Sequence, residues 1–180
     1  MSEAATQMTM QQYLAFFARR LFDGLARGIE DLTVEELNVR PHEHSNSIGF
    51  DAWHVFRTAD NIIHFAFERE RPVWLQQELN EAWSLPKVEQ GTGMEAEVAH
   101  ALRFPEAKLL AGYGRDVADA VIPRIEAMSD SYLQELTKIN PWGEIRRLEA
   151  IGQTVISHGS THLGQISLAR TLMGKQGLEF

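Results

Sequence analysis

The sequence predicts an all-α fold, a four-helix bundle with a long connection between its second and third helices. Apolar residues recur at steps of three and four in four long stretches, which is the spacing of amphipathic helices. No stretch reads convincingly as a strand. The 180 residues, of which 44% are hydrophobic, are enough for one packed core and contain no internal repeat. We therefore expect residues 1–180 to form a single domain.

The first helix is predicted to begin at Thr9, after residues 1–7, which are small and polar and which we expect to be frayed. Thr33 and Glu36 then match the capping-box pattern S/T-x-x-E, which predicts a short helical turn that ends before Pro41. The apolar stripe of the first helix consists of Met10, Tyr13, Leu14, Phe17, Leu21, Leu25, Ile29 and Leu32.

The second helix is predicted to start after the capping residues Ser45–Ser47 and to run to about Glu70. Just before it lie His42 and His44, whose spacing favours solvated loop histidines. One face of the helix is apolar, and a mostly polar row borders that face. A polar row beside the core indicates a cleft, although an exposed flank is the alternative. The row contains Ser47, Asp51, His54, Thr58, Asn61 and Phe65.

Residues 71–104 form the long connection. Proline at position 86 and the turn Gly91–Gly93 interrupt any regular element. Two tryptophans, Trp74 and Trp83, argue against disorder, so we expect the connection to pack on the bundle and to form a wall of the cleft.

Two prolines are predicted to begin the remaining long helices. Pro105 is suited to the first position of the third helix, and Pro123 is expected to kink that helix near its end. The segment Ser129–Ser131 predicts a turn followed by a short helical piece. Asn140 and Pro141 are predicted to be the N-cap and the first residue of the last helix. Glycines near position 174 are predicted to end that helix.

Charge and composition exclude several classes of protein. The net charge is −8, and the only local basic pair is Arg146-Arg147, so a nucleic-acid-binding surface is not expected. Cysteine is absent, which excludes disulfides and thiolate ligands. The start of the sequence lacks the features of a signal peptide, and no apolar run approaches the roughly 20 residues of a membrane span. These features predict a cytoplasmic protein.

Two histidines in the last helix indicate a metal site. His158 and His162 lie one turn apart on one helical face, within the apolar stripe, and both should point into the bundle. His54 is the best candidate for a third ligand. Three neutral imidazoles would leave coordination positions open on a divalent ion such as zinc or nickel. Gly159 occupies the position where an H-E-x-x-H protease has its glutamate, so that mechanism is not expected. Hydrogen-bonded core histidines in a metal-free bundle remain the alternative.

Three stretches of the sequence resemble one family. Asn46–His54 is similar to its second-helix motif, Leu85-Pro86 with the following glycine turn is similar to its middle loop, and His158–Ile166 with Arg170 is similar to its C-terminal motif. In this order and spacing they resemble the DinB/YfiT-like proteins, a bacterial group of metal-binding four-helix bundles.

The resemblance implies a three-histidine metal site at His54, His158 and His162 and a homodimer. It also implies an enzyme that acts on a small-molecule substrate, a thiol S-transferase that joins mycothiol, bacillithiol or glutathione to a small electrophile. Asp51, Thr58 and Asn61 are candidates to contact a ligand histidine or the substrate. The alternatives are a non-catalytic stress-response protein that binds a metal or small ligand, and a metal-free bundle that acts through dimerisation.

Overall fold

The computed structural model describes residues 7–178 and confirms the helical fold. The predicted frayed segment lies, apart from its last residue, outside this range, and the division into one domain stays a prediction. In chain order the elements are α1 (Met10–Ile29), α2 (Val34–Asn38), α3 (Ile48–Asp60), a π-helical turn (Asn61–Phe67), α4 (Val73–Gln76), α5 (Leu79–Ala82), α6 (Ala96–Ala101), α7 (Ala107–Ala127), α8 (Asp130–Gln134), β1 (Leu136–Ile139), β2 (Gly143–Arg146), α9 (Arg147–Ala150), a second π-helical turn (Ile151–Ser157) and α10 (His158–Leu172).

Side-chain caps fix the starts of the first helices where the sequence predicts them. The Thr9 hydroxyl accepts the Gln12 backbone N–H, and the Gln12 side chain accepts the Thr9 backbone N–H in return. Thr33 and Glu36 form the same reciprocal pair at α2. These caps satisfy backbone donors that have no partner within the helix.

Helix α3 lies at the centre of the bundle, because all of its residues are buried. It packs against α1, α7 and α10, and α1 in turn packs along α7. The largest apolar side chains that it buries completely are Trp53 and Phe56, and burial of such a side chain stabilises the fold by roughly 1.5–3 kcal/mol. At Gly159 on α10 a Cβ atom would lie 2.4 Å from Leu21 and 3.1 Å from Val55, so glycine allows α10 to approach both neighbours.

The prediction that Asn140 and Pro141 begin the last helix is wrong. They form the turn of an antiparallel hairpin, in which β1 and β2 pair from Leu136 with Arg146 to Ile139 with Gly143. The last helical stretch begins only at Arg147, where the Glu149 side chain accepts the backbone N–H of Arg146.

The start of the third helix is also corrected. Helix α7 begins at Ala107 after the N-cap Glu106, so Pro105 lies before the helix. Pro123 lies inside α7, as expected. The second helix continues through a π-helical turn that ends at Phe67, a little before Glu70. Within the described residues no helix combines the length and apolarity that a membrane crossing requires.

A buried carboxylate, Asp60 at the end of α3, anchors the connection to the bundle. It is fully buried and accepts the backbone N–H groups of Val73 and Trp74 at 2.9 Å each. The Tyr113 hydroxyl of α7 donates to it at 2.9 Å, and Nδ1 of His64 lies 2.8 Å from it. Burial, together with the negative charge of Asp60, raises the pKa of Tyr113 well above its usual value, so the phenol stays a donor.

Replacement of Asp60 with alanine should destabilise the protein strongly. The Asp60→Ala variant leaves two backbone N–H groups and the Tyr113 hydroxyl buried without their acceptor, and we expect a loss of at least about 3 kcal/mol in the free energy of unfolding. Urea denaturation would measure it. Asp119→Ala is the matched control, because its exposed pair with Arg19 should contribute less than about 1 kcal/mol. Equal losses in the two variants would contradict the anchoring role.

Candidate metal centre

Three histidines from two distant parts of the chain meet at one point. His54 comes from the middle of α3, and His158 and His162 come from the first turns of α10. The Nε2 atom of His158 lies 3.1 Å from Nε2 of His54 and 3.1 Å from Nε2 of His162. All three offer a ligand atom within 4.8 Å of the other two. The structure thus brings together the three residues that the sequence analysis selected.

The second nitrogen of each ring faces an oxygen. Nδ1 of His54 donates to the backbone carbonyl of Gln90, and Nδ1 of His158 donates to the carbonyl of Thr154 at 3.1 Å. Nδ1 of His162 lies 3.2 Å from a carboxylate oxygen of Asp51, although the alignment is not that of a hydrogen bond. A carbonyl oxygen can only accept, so the protons of His54 and His158 lie on Nδ1.

This arrangement of protons leaves lone pairs on the Nε2 atoms of His54 and His158. Unprotonated nitrogens 3.1 Å apart repel each other unless a cation lies between or beside them. Neutral imidazoles whose outer nitrogen donates to an oxygen are the usual form of histidine metal ligands. The three residues therefore fit a divalent metal ion and could hold one.

Burial keeps the rings of His54 and His158 neutral. It lowers the pKa of His54 to about 4, and the neighbouring His162 and His158 shift it in the same direction, whereas the hydrogen bond to Gln90 opposes the shift. Burial also lowers the pKa of His158, with His162 as the second cause. At neutral pH these two imidazoles are unprotonated, which is the state that binds metal ions.

A cavity of about 450 Å³ opens beside the three histidines. Its walls come from α3, from α10 with the preceding π-helical turn, from residues 90–100 of the connection, and from the hairpin turn 139–142. The prediction that the polar row of the second helix faces a cleft is confirmed for His54 and Thr58. The connection forms a wall of this cleft, as expected.

The turn that caps His54 requires glycine. Gly91 has φ of +103°, and a Cβ atom there would lie 2.8 Å from Nδ1 of His54 and 2.9 Å from the ring of Phe50. Glycine therefore lets the backbone of the connection lie directly against the imidazole, where the Gln90 carbonyl binds Nδ1.

The other predicted residues have mixed outcomes. Asp51 lies beside His162, in agreement with its prediction as a residue that contacts one of the three histidines. Asn61 lines an adjoining groove and not this cavity. His42 and His44 are exposed loop residues, as predicted, and His44 also reaches the cavity mouth.

Three parts of the site were not predicted from the sequence. These are the carbonyls of Gln90 and Thr154 and the hairpin turn. The spacing of Thr154, four residues before His158, could have identified its carbonyl as the acceptor that a helical turn provides. The Gln90 carbonyl has no comparable signal, because it reaches His54 only through the path of the connection.

The chain resembles known proteins in sequence and in fold. The sequence profile of the DinB superfamily matches residues 17–166, so the resemblance inferred from the motifs is confirmed. The fold is similar to that in a crystal structure of a conserved protein from Enterococcus faecalis, with a TM-score of 0.81 over 94% of this chain and 100% of that chain. The two sequences are 22% identical, which supports a likeness of fold alone. A search of curated proteins finds no match.

Replacement of Gly91 with alanine should weaken metal binding. The new methyl group would collide with His54 and Phe50, displacing the Gln90 carbonyl from Nδ1 of His54, and loss of such a supporting contact reduces metal affinity by about 10- to 100-fold. Competition with a chromogenic chelator would measure the affinity.

Gly93→Ala is the matched control for this experiment. Gly93 also has a positive φ, +70°, but a Cβ atom there would meet no atom within 4 Å. That variant should carry only the backbone strain, roughly 1–2 kcal/mol of stability, with unchanged metal affinity. Similar metal affinities in the two variants would contradict a role for the Gly91 contact.

Proposed function

The chain belongs to the DinB superfamily, and we propose that it is a divalent-metal-dependent enzyme that acts on a small molecule, with His54, His158 and His162 as the metal ligands. The observation that carries this proposal is the convergence of three Nε2 atoms whose outer nitrogens face oxygen atoms. Imidazole ligation suits zinc and nickel, which we propose as the ions.

An open coordination position favours catalysis over a structural role. Structural zinc sites are closed by four protein ligands, whereas catalytic sites keep three and leave one position for water or substrate. Within the described residues the three histidines have no fourth histidine or carboxylate in their group, and they border the cavity of about 450 Å³. A small molecule that enters this cavity would reach the ligands directly.

A low-molecular-weight thiol is the co-substrate that we propose, because the family resemblance implies one. A divalent ion at this site would favour the thiolate form of a bound thiol. The chain would contribute uncharged ligands, because burial keeps His54 and His158 neutral. These two ligands would not neutralise the positive charge of the ion. The thiolate would then attack a small electrophile, forming a carbon–sulfur bond as the leaving group departs. A homodimer and a cytoplasmic location also stay predictions.

Purified protein without a polyhistidine tag should contain about one divalent ion per chain, and His54→Ala and His158→Ala should lose most of it. Elemental analysis by inductively coupled plasma mass spectrometry measures the content. His42→Ala is the matched control, because that histidine is exposed and lies outside the three-histidine group. Circular dichroism would confirm that each variant is folded. Metal-free parent protein, even after incubation with zinc or nickel, would overturn the proposal.

Metal-loaded protein should accelerate the reaction of a thiol with monobromobimane. In this reaction the sulfur displaces bromide, a carbon–sulfur bond replaces the carbon–bromine bond, and the thiol proton passes to solvent. Removal of the ion should lower the rate more than about tenfold, because metal stabilisation of a thiolate contributes several kcal/mol. Fluorescence of the bimane product follows the rate with glutathione and with bacillithiol. Equal rates with and without metal would exclude metal-dependent thiol transfer.

A further inference from the structure

The walls of the cavity beside the histidines carry no charged side chain of fixed sign. Its lining residues in the described chain include no aspartate, glutamate, lysine or arginine, although such residues make up 23% of the sequence. A charged group that enters the cavity would lose its hydration there without gaining a charged partner. Any single negative charge on a ligand would be favoured only at the histidine end, where an ion would lie.

Unpartnered polar atoms mark this histidine end of the cavity. Thr58 is 5% exposed and lines the cavity, and its hydroxyl has no hydrogen-bond partner within residues 7–178. The side-chain oxygen of Gln90, a residue that lines this cavity and the adjoining groove, is also buried without a partner in the same range. By contrast, the Thr154 hydroxyl donates to the Ala150 carbonyl. Buried polar groups are nearly always paired, so the free hydroxyl and amide oxygen indicate a polar group supplied by a ligand.

One face of the second helix lines the cavity with a polar pair between two apolar residues. Phe50, His54, Thr58 and Ile62 follow each other at steps of four residues and all line the cavity. At about 1.5 Å per residue, the rise along the helix from His54 to Ile62 is about 12 Å, which leaves room for a polar head attached to one ring. Strand β1 of the hairpin packs against the π-helical turn that contains Ile62, so the apolar wall of the hairpin lies toward the Ile62 end of this face.

The hairpin turn supplies the opposite apolar wall. Ile139 and Trp142 both line the cavity, and Ile139 is buried whereas the Trp142 side chain is 41% exposed. Among the described residues the Trp142 ring forms no pair with another aromatic ring, and its exposed part borders the cavity. An exposed indole at a cavity wall gains stability when a flat apolar group covers it.

We propose that this cavity binds small molecules with a polar head group, which offers a lone pair to a metal ion, and a flat apolar ring. Thr58 and Gln90 would contact the head group, and Trp142 would contact the ring. This inference rests on the proposed function, because the head would also occupy the open coordination position. A cavity of about 450 Å³ lies in the range of small-molecule sites and accommodates a ligand of this size.

Two hydroxamates that share a head and differ in the body test the proposal on zinc-loaded protein. Benzohydroxamate carries a ring and acetohydroxamate carries a methyl group. Isothermal titration calorimetry should show benzohydroxamate binding about tenfold or more tightly, because the ring is buried against the hairpin. Trp142→Ala should reduce this preference several-fold without changing acetohydroxamate affinity. The Leu168→Ala variant, at an exposed position of α10 outside the cavity, should keep the full preference.

The head contact has its own variants. Thr58→Val keeps the shape of the side chain and removes the hydroxyl, so it should weaken both hydroxamates about fivefold or more, and Thr58→Ser should restore binding. Metal content is measured in every sample. Zinc-loaded protein with no ring preference, or with hydroxamate affinities unchanged by Thr58→Val and Trp142→Ala, would overturn this inference and leave the proposed metal site intact. Protein that loads neither zinc nor nickel would overturn both.

Discussion

The close approach of three imidazole nitrogens is the constraint on which the rest of the site depends. The Nε2 atoms of His54 and His158 lie 3.1 Å apart without a proton between them, which is unfavourable by itself, so the fold must hold them there. It does so at the Nδ1 side of each ring, through the carbonyls of Gln90 and Thr154 and through Asp51. Local strain of this kind is a common property of functional sites, where a bound group compensates for it.

A second cluster of buried polar residues supports the three histidines. Asp60 binds the start of the connection at Val73 and Trp74, and Arg57, which is almost fully buried, donates to the carbonyls of Lys87 and Val88 further along. The Arg57 guanidinium also lies over the Trp74 ring, 5.1 Å from its centroid. These contacts fix the connection near residue 73 and again near residue 88. The residues that follow, Gln90 and Gly91, contact His54. Its irregular sequence is compatible with a defined path because buried charges of α3 bind its backbone.

Local signals predicted much of the fold, and distant contacts accounted for most of the errors. The capping box at Thr33 and the four-residue spacing of His158 and His162 act within one helical turn, so they are readable from sequence. His54 required the family resemblance in addition to its polar row. The hairpin escaped because its strands have four residues each, and Leu136 and Ile139 also fit a helical spacing. Gln90 escaped because its role depends on where the connection crosses α3.

The separation of the proposed ligands along the chain would set the order in which the site assembles. His54 and His158 are 104 residues apart, so a chain emerging from the ribosome exposes the first of these histidines long before the second. A lone imidazole holds a divalent ion weakly, and an ion that needs both helices stabilises only a chain in which they have docked. Metal loading would therefore follow synthesis of the chain. The bound ion would join α3 to α10 as a reversible crosslink does.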